Sequence, residues 1–75
     1  MSLTELDCLG LACPMPIVKI SRAIKELAAG DDLRVQADDP SFRADLQAWL
    51  TKMGHLLQSF EEVGKVQTAV VRKKG

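Results

Sequence analysis

Leu33-Arg34-Val35-Gln36-Ala37-Asp38-Asp39-Pro40 changes character within a few residues. Leu33, Val35 and Ala37 share one side of an extended chain and Arg34 and Gln36 take the other, which is the alternation of a half-buried strand. Asp38-Asp39-Pro40 then predicts the start of a helix. The Asp39 carboxylate can accept free first-turn N–H groups as N-cap, and Pro40 suits the first helical position, where its missing donor is not needed. Beyond it, Phe42, Leu46, Trp49, Leu50 and Met53 form an apolar stripe, with Trp49 read as a core residue, and Gly54 ends the helix.

Towards the N-terminus, Gly30 reads as the C-terminal cap of another helix, from about Pro14 to Ala28. Ile17, Ile20, Ile24 and Leu27 recur at spacings of three and four and give it one apolar stripe, with Lys19, Arg22, Lys25 and Glu26 largely off it. Leu9-Gly10-Leu11-Ala12 connects this helix to a first strand, Leu3 to Cys8. There Leu6 and Cys8 share the inward parity, and Glu5 and Asp7 face water. Towards the C-terminus, Leu56 to Val63 and Val66 to Arg72 read as two strands joined by Gly64-Lys65, a two-residue hairpin turn with glycine first. Gln58, Ser59 and Glu61 blur the alternation of the first of these.

The order is therefore β-α-β-α-β-β. Two helices and strands with one apolar side predict a two-layer α/β (α+β) sandwich: a four-stranded mixed sheet with both helices on one face. Seventy-five residues leave room for one domain, spanning 1–75. A formal net charge of zero argues against a bulk electrostatic partner such as naked nucleic acid. Met1 to Asp7 contains no basic region followed by an apolar run, and no stretch approaches a membrane span, so the expected location is cytoplasmic. A disulfide between the two cysteines would be transient there.

Cys13-Pro14-Met15-Pro16 is where chemistry is expected. With Pro14 as the first helical residue, Cys13 would be the N-cap, where the helix dipole lowers a thiol's pKa. Pro16 removes a second first-turn donor, leaving the Met15 N–H as the nearest able to reach the sulfur. The prolines also fix φ and hence the direction of the side chain. Cysteine is a poor structural N-cap compared with Ser, Thr, Asp or Asn, which favours a chemical role. Taken locally, a small buried apolar cysteine is an equally open reading.

Asp7-Cys8-Leu9-Gly10-Leu11-Ala12-Cys13-Pro14-Met15-Pro16, Asp38-Asp39-Pro40 and Gly54-His55-Leu56-Leu57 together resemble the TusA/SirA family of small sulfur carriers, over nearly the whole chain and with the expected spacing. The resemblance implies a two-layer sandwich with a four-stranded mixed sheet and a functional Cys13 that accepts sulfane sulfur as a persulfide and passes it on, supported by Gly10, Pro14, Met15 and Pro16. It further implies a donor, either a protein of the cysteine desulfurase or rhodanese type or thiosulfate, and a downstream acceptor protein. Family members act in tRNA thiolation, molybdenum cofactor sulfuration and sulfur oxidation, and beside membrane thiosulfate importers. Gln47 departs from the family pattern, standing where many members carry a proline after an Asp-Ile pair, here Asp45-Leu46.

The remaining candidates have plainer readings. Cys8 is a possible second, resolving thiol, but strand parity packs it inward beside Leu6. His55 follows a helix-ending glycine without an acidic partner in sequence and reads as structural. Asp38 and Asp39 are accounted for by capping, and no zinc-spaced ligand set is visible, so neither metal nor cofactor is expected. Lys19, Arg22 and Lys25 line the polar side of the first helix and are equally open to solvation and to partner docking. Arg72-Lys73-Lys74 reads as a solvated tail. The expected function is a sulfur relay, with the chain a co-substrate as much as a catalyst. The rivals are a non-catalytic docking module and an RNA-binding module.

Overall fold

The computed structural model describes residues 3–75. Six elements follow one another: β1 (Leu3–Cys8), α1 (Met15–Lys25), β2 (Asp32–Ala37), α2 (Phe42–Met53), β3 (Leu56–Val63) and β4 (Val66–Arg72). They build one four-stranded sheet in the order β1-β2-β4-β3. β1 runs parallel to β2, and β4 runs antiparallel to both β2 and β3, so β2 and β3 are parallel. The crossovers β1-α1-β2 and β2-α2-β3 both move across the sheet in the same direction. Right-handed connections then place α1 and α2 on the same face. The expected sandwich is the observed one.

The core lies between that face and the helices. Cys8, Leu33, Val35, Ala37, Ala69 and Val71 enter it from the sheet, Ile20 and Ile24 from α1, and Phe42, Leu46 and Leu50 from α2. The strand reading of Leu33, Val35 and Ala37 holds, since all three are fully buried. β3 is an exposed edge strand whose main anchor is half-buried Phe60, stacked on Phe42 with ring centroids 6.4 Å apart. Its blurred alternation has a structural cause. The pairing shifts between Leu57 and Ser59, so Gln58 is an extra residue and the inward parity changes from Leu57 to Phe60. Gly64 takes a positive φ of 60° in the two-residue turn to β4, as expected.

Both helices differ from the expectation at an end. α1 ends at Lys25 rather than Ala28, because the Glu26 and Leu27 N–H groups reach back only three residues, to Ala23 and Ile24, and tighten the last turn. Gly30 is therefore not its cap: its φ of 89° serves the turn into β2, and its N–H donates to the Lys73 carbonyl at 3.0 Å. α2 begins at Phe42 with Ser41 in the N-cap position, not Asp39 with Pro40 first. The Asp39 carbonyl instead accepts the Phe42 N–H three residues on, which closes a turn ahead of the helix. Gly54 does end α2, with φ at 80° and its N–H on the Leu50 carbonyl, and the helix runs unbroken through Gln47.

Arg72-Lys73-Lys74 is not a solvated tail. Arg72 forms a two-pronged pair with Asp32, its register partner on β2, at 2.8 and 3.2 Å. Lys73 Nζ donates to the Leu27 carbonyl at 2.6 Å, and the Lys74 N–H donates to His55 Nδ1 at 3.0 Å. The segment is thus fastened through the Arg72 and Lys73 side chains and the Lys74 backbone.

Candidate functional site

The loop between β1 and α1 is held by three carboxylates. Asp7 accepts the Leu9 N–H at 2.9 Å, and Asp38 accepts the Gly10 N–H at 3.0 Å. Asp39 Oδ2 accepts the Cys13 N–H at 2.9 Å. Asp39 also accepts the Ser41 hydroxyl at 2.8 Å, and these bonds hold its carboxyl below the usual range, with the Ser41 bond the larger cause. The Asp-Asp pair that sequence reasoning assigned to capping thus also clamps a loop from another part of the chain, while Asp39 still accepts the Ser41 N–H at 3.4 Å at the entrance to α2. Gly10 sits in a turn closed by the Leu11 N–H on the Cys8 carbonyl, and its φ of 78° is the left-handed value that favours glycine there.

Cys13 is exposed and unbonded to any other sulfur. It is not the N-cap of α1; Pro14 occupies that position. The Met15 N–H donates to the Ala12 carbonyl at 2.9 Å, so Cys13 and Pro14 form the centre of a turn and that N–H is unavailable to the sulfur. The Cys13–Pro14 peptide bond is cis. Pro14 and Met15 are exposed beside the thiol, and Pro16 is buried under it in the core. Leu9 and Met15, 41 and 45 % exposed, add apolar surface around the loop.

What surrounds the sulfur is acidic. Cys13 Sγ and carboxylate oxygens of Asp39 and Asp45 all lie within 4.8 Å of one another, close enough to share a cation. The Asp45 carboxylate beside the thiol is the main cause pushing the Cys13 pKa up, with desolvation second; the nearby Ser41 hydroxyl works the other way. This reverses the lowered pKa expected of an N-cap cysteine. The reason is geometric: the thiol has left the helix terminus and faces the start of α2, where carboxylates stabilise the protonated form. Sequence reasoning missed Asp45 and Ser41. Only the Asp45-Leu46 position within the family pattern drew attention to that stretch, and nothing local links residue 45 to residue 13.

Cys8 is fully buried among core residues, as strand parity predicted, with its S–H directed at the Pro16 carbonyl 4.0 Å away. Burial is the main cause that raises its pKa, so it is a poor partner for thiol chemistry at the surface. His55 lies at the opposite end of α2 from Asp45. Its Nδ1 accepts the Lys74 N–H, and its ring rests on Trp49 at 5.2 Å. Burial first, and then Lys73 and Lys74, lower its pKa.

The three α1 cations separate. Lys19 Nζ donates to the Asp7 carbonyl at 3.0 Å and turns towards β1. Arg22 and Lys25 border a groove of about 360 Å³ formed with Pro14, Ile17, Val18 and Ser21 and closed by Trp49 from α2. Trp49 is therefore half-buried, packed against the edge of the core and also forming a wall of the groove. Because Pro14 belongs to it, the groove starts beside Cys13.

Fold and site define a class: a small two-layer sandwich that presents one exposed thiol on a clamped loop between its first strand and first helix. A family model described as Sulfurtransferase TusA matches residues 4–73, and the chain belongs to that family. It is 39% identical over 69 residues to the sulfur carrier protein TusA of Pseudomonas entomophila, covering 92% of this chain and 86% of that one. It is 44% identical over 70 residues to YrkF of Bacillus subtilis, covering 93% of this chain but only 38% of YrkF, so the chain spans well under half of that relative. A crystal structure of a SirA-like protein from Desulfitobacterium hafniense matches with a TM-score of 0.79 at 28% identity, covering 100% of both chains.

Proposed function

We propose that this chain is a sulfur carrier in which Cys13 accepts sulfane sulfur as a persulfide and relays it to an acceptor. The observation that carries the reading is the exposed Cys13 thiol, the accessible one of the two cysteines, on a loop fixed from the far side of the sequence. Membership of a sulfurtransferase family supports the same chemistry. The Cys13 thiolate attacks the outer sulfur of a donor persulfide, R–S–SH. The Cys13–S bond forms, the donor S–S bond breaks, and R–S⁻ leaves and takes up the proton that Cys13 gave up. The acceptor repeats the step on the outer sulfur of Cys13–S–SH.

The donor and acceptor in this reading are proteins that dock over the loop. Leu9, Pro14 and Met15 offer them apolar contact, and the groove bordered by Arg22 and Lys25 takes an acidic partner segment. Intact mass spectrometry is the test. The wild type should gain one sulfur atom from a persulfide donor and lose it to a reducing thiol. Cys13→Ser should abolish the gain, and Cys8→Ser should keep it. A wild type that stays unmodified with every donor would overturn the reading.

A further inference from the structure

Asp45 approaches the Cys13 sulfur from the first turn of α2, which sequence order separates widely from the cysteine loop, and it is half-buried where Cys13 is exposed. The charged groups acting on the sulfur are Asp45 and Asp39, and Ser41 adds a hydroxyl. The cations of α1 are turned elsewhere: Lys19 to the Asp7 carbonyl, Arg22 and Lys25 to the groove. An anion at the Cys13 sulfur therefore has two carboxylates beside it. Thiosulfate is a dianion, and a free hydropersulfide is largely an anion at neutral pH. A persulfide carried on a docked protein arrives with its electrostatics matched over a whole interface.

We infer that Asp45 is a specificity-determining residue, holding the Cys13 thiol in reserve against free anionic sulfur compounds and accepting its proton when a protein-borne persulfide is in place. The inference rests on the persulfide reading of Cys13 and names the donor class for it. In the transfer, Cys13–SH gives its proton to the Asp45 carboxylate, and the thiolate forms the new S–S bond to the donor's outer sulfur. The departing donor thiolate then takes the proton from Asp45. The sum is Cys13–SH plus R–S–SH giving Cys13–S–SH plus R–SH, with Asp45 unchanged.

The experiment reads Cys13 itself, so that it stands whether or not sulfur transfer is found. Labelling by anionic iodoacetate and by neutral iodoacetamide is followed against pH by mass spectrometry for wild type, Asp45→Asn and Asp45→Glu. One full charge near 5 Å in water corresponds to roughly a threefold to fourfold effect on rate. Asp45→Asn should therefore raise the iodoacetate-to-iodoacetamide ratio about threefold and move the iodoacetamide profile to lower pH, and Asp45→Glu should stay near wild type. In the wild type, added salt should raise the same ratio, because it screens the carboxylates, and this readout needs no variant. Persulfide formation from thiosulfate should be slow in the wild type and faster in Asp45→Asn. An unchanged ratio and profile in Asp45→Asn, or a wild-type ratio indifferent to salt, overturns the inference. Altered labelling without any sulfur gain from any donor leaves the Asp45 effect standing and overturns the carrier reading instead.

Discussion

The Cys13 N–H donates to Asp39 Oδ2 at 2.9 Å, across 26 positions of sequence. This bond joins the loop that carries the thiol to the turn that begins α2, and the same carboxylate holds Ser41. Asp39→Ala should free both. Faster amide exchange at Cys13 and Ser41, with the helical amides of α2 little changed, is the expected outcome by NMR. Because the Asp39 pKa is held below its ordinary 3.8, the clamp contributes stability that is fully present above that value and is lost as pH falls through the lower, folded-state value. The Cys13 protection factor, which is exchange corrected for its intrinsic pH dependence, should therefore stay flat across neutral pH and fall only in strong acid.

The two cysteines should label at very different rates. Cys13 is exposed and Cys8 is fully buried with a pKa raised by burial. Iodoacetamide should add once to the native protein, at Cys13, and twice after denaturation. Equal labelling of the native thiols would contradict the packing of β1. Cys8→Ser should cost roughly 1–3 kcal/mol in chemical denaturation, since a hydroxyl would replace a thiol in an apolar site.

Reversing the groove charges should act on docking rather than on the thiol. Arg22→Glu with Lys25→Glu should slow association with a protein donor about tenfold at low salt, with the difference shrinking as salt rises. Iodoacetamide labelling of Cys13 should remain unchanged. Lys19→Ala should have the smaller effect on association, because Lys19 is engaged with the Asp7 carbonyl.

His55 should give the fold a pH dependence just below neutrality. Its folded-state pKa is lowered from 6.5, and its Nδ1 must stay unprotonated to accept the Lys74 N–H. The folded state thus binds fewer protons than the unfolded one, and the stability His55 contributes is complete above 6.5 and lost as pH falls below it. Thermal melts between pH 7.5 and pH 5 should show a falling midpoint, and His55→Ala should flatten that slope.

Leu46 packs fully buried between α2 and the sheet. Leu46→Ala should cost about 2–5 kcal/mol in chemical denaturation. Gln47, one residue on, is exposed, and Gln47→Ala should be within about 0.5 kcal/mol of wild type.

The sequence by itself determined the elements and their order, and it singled out the cysteine proposed as the sulfur carrier. Period-two alternation at Leu33, Val35 and Ala37 and the helical stripe of Ile20, Ile24, Phe42, Leu46 and Leu50 are local signals, because each side of a strand or helix meets one environment. Glycine punctuation at Gly54 and Gly64 was legible for the same reason, since a positive φ is a property of one residue. Only the tertiary structure decided what those elements place beside the thiol. The helix ends moved because three-residue hydrogen bonds tightened them, Glu26 and Leu27 onto Ala23 and Ile24 and Phe42 onto Asp39, while Gly30 and the Asp38 and Asp39 carboxylates bonded to segments distant in sequence. The Cys13 pKa changed direction because Asp45 approaches through space from another helix, and electrostatic interaction depends on distance in the fold rather than on separation along the chain.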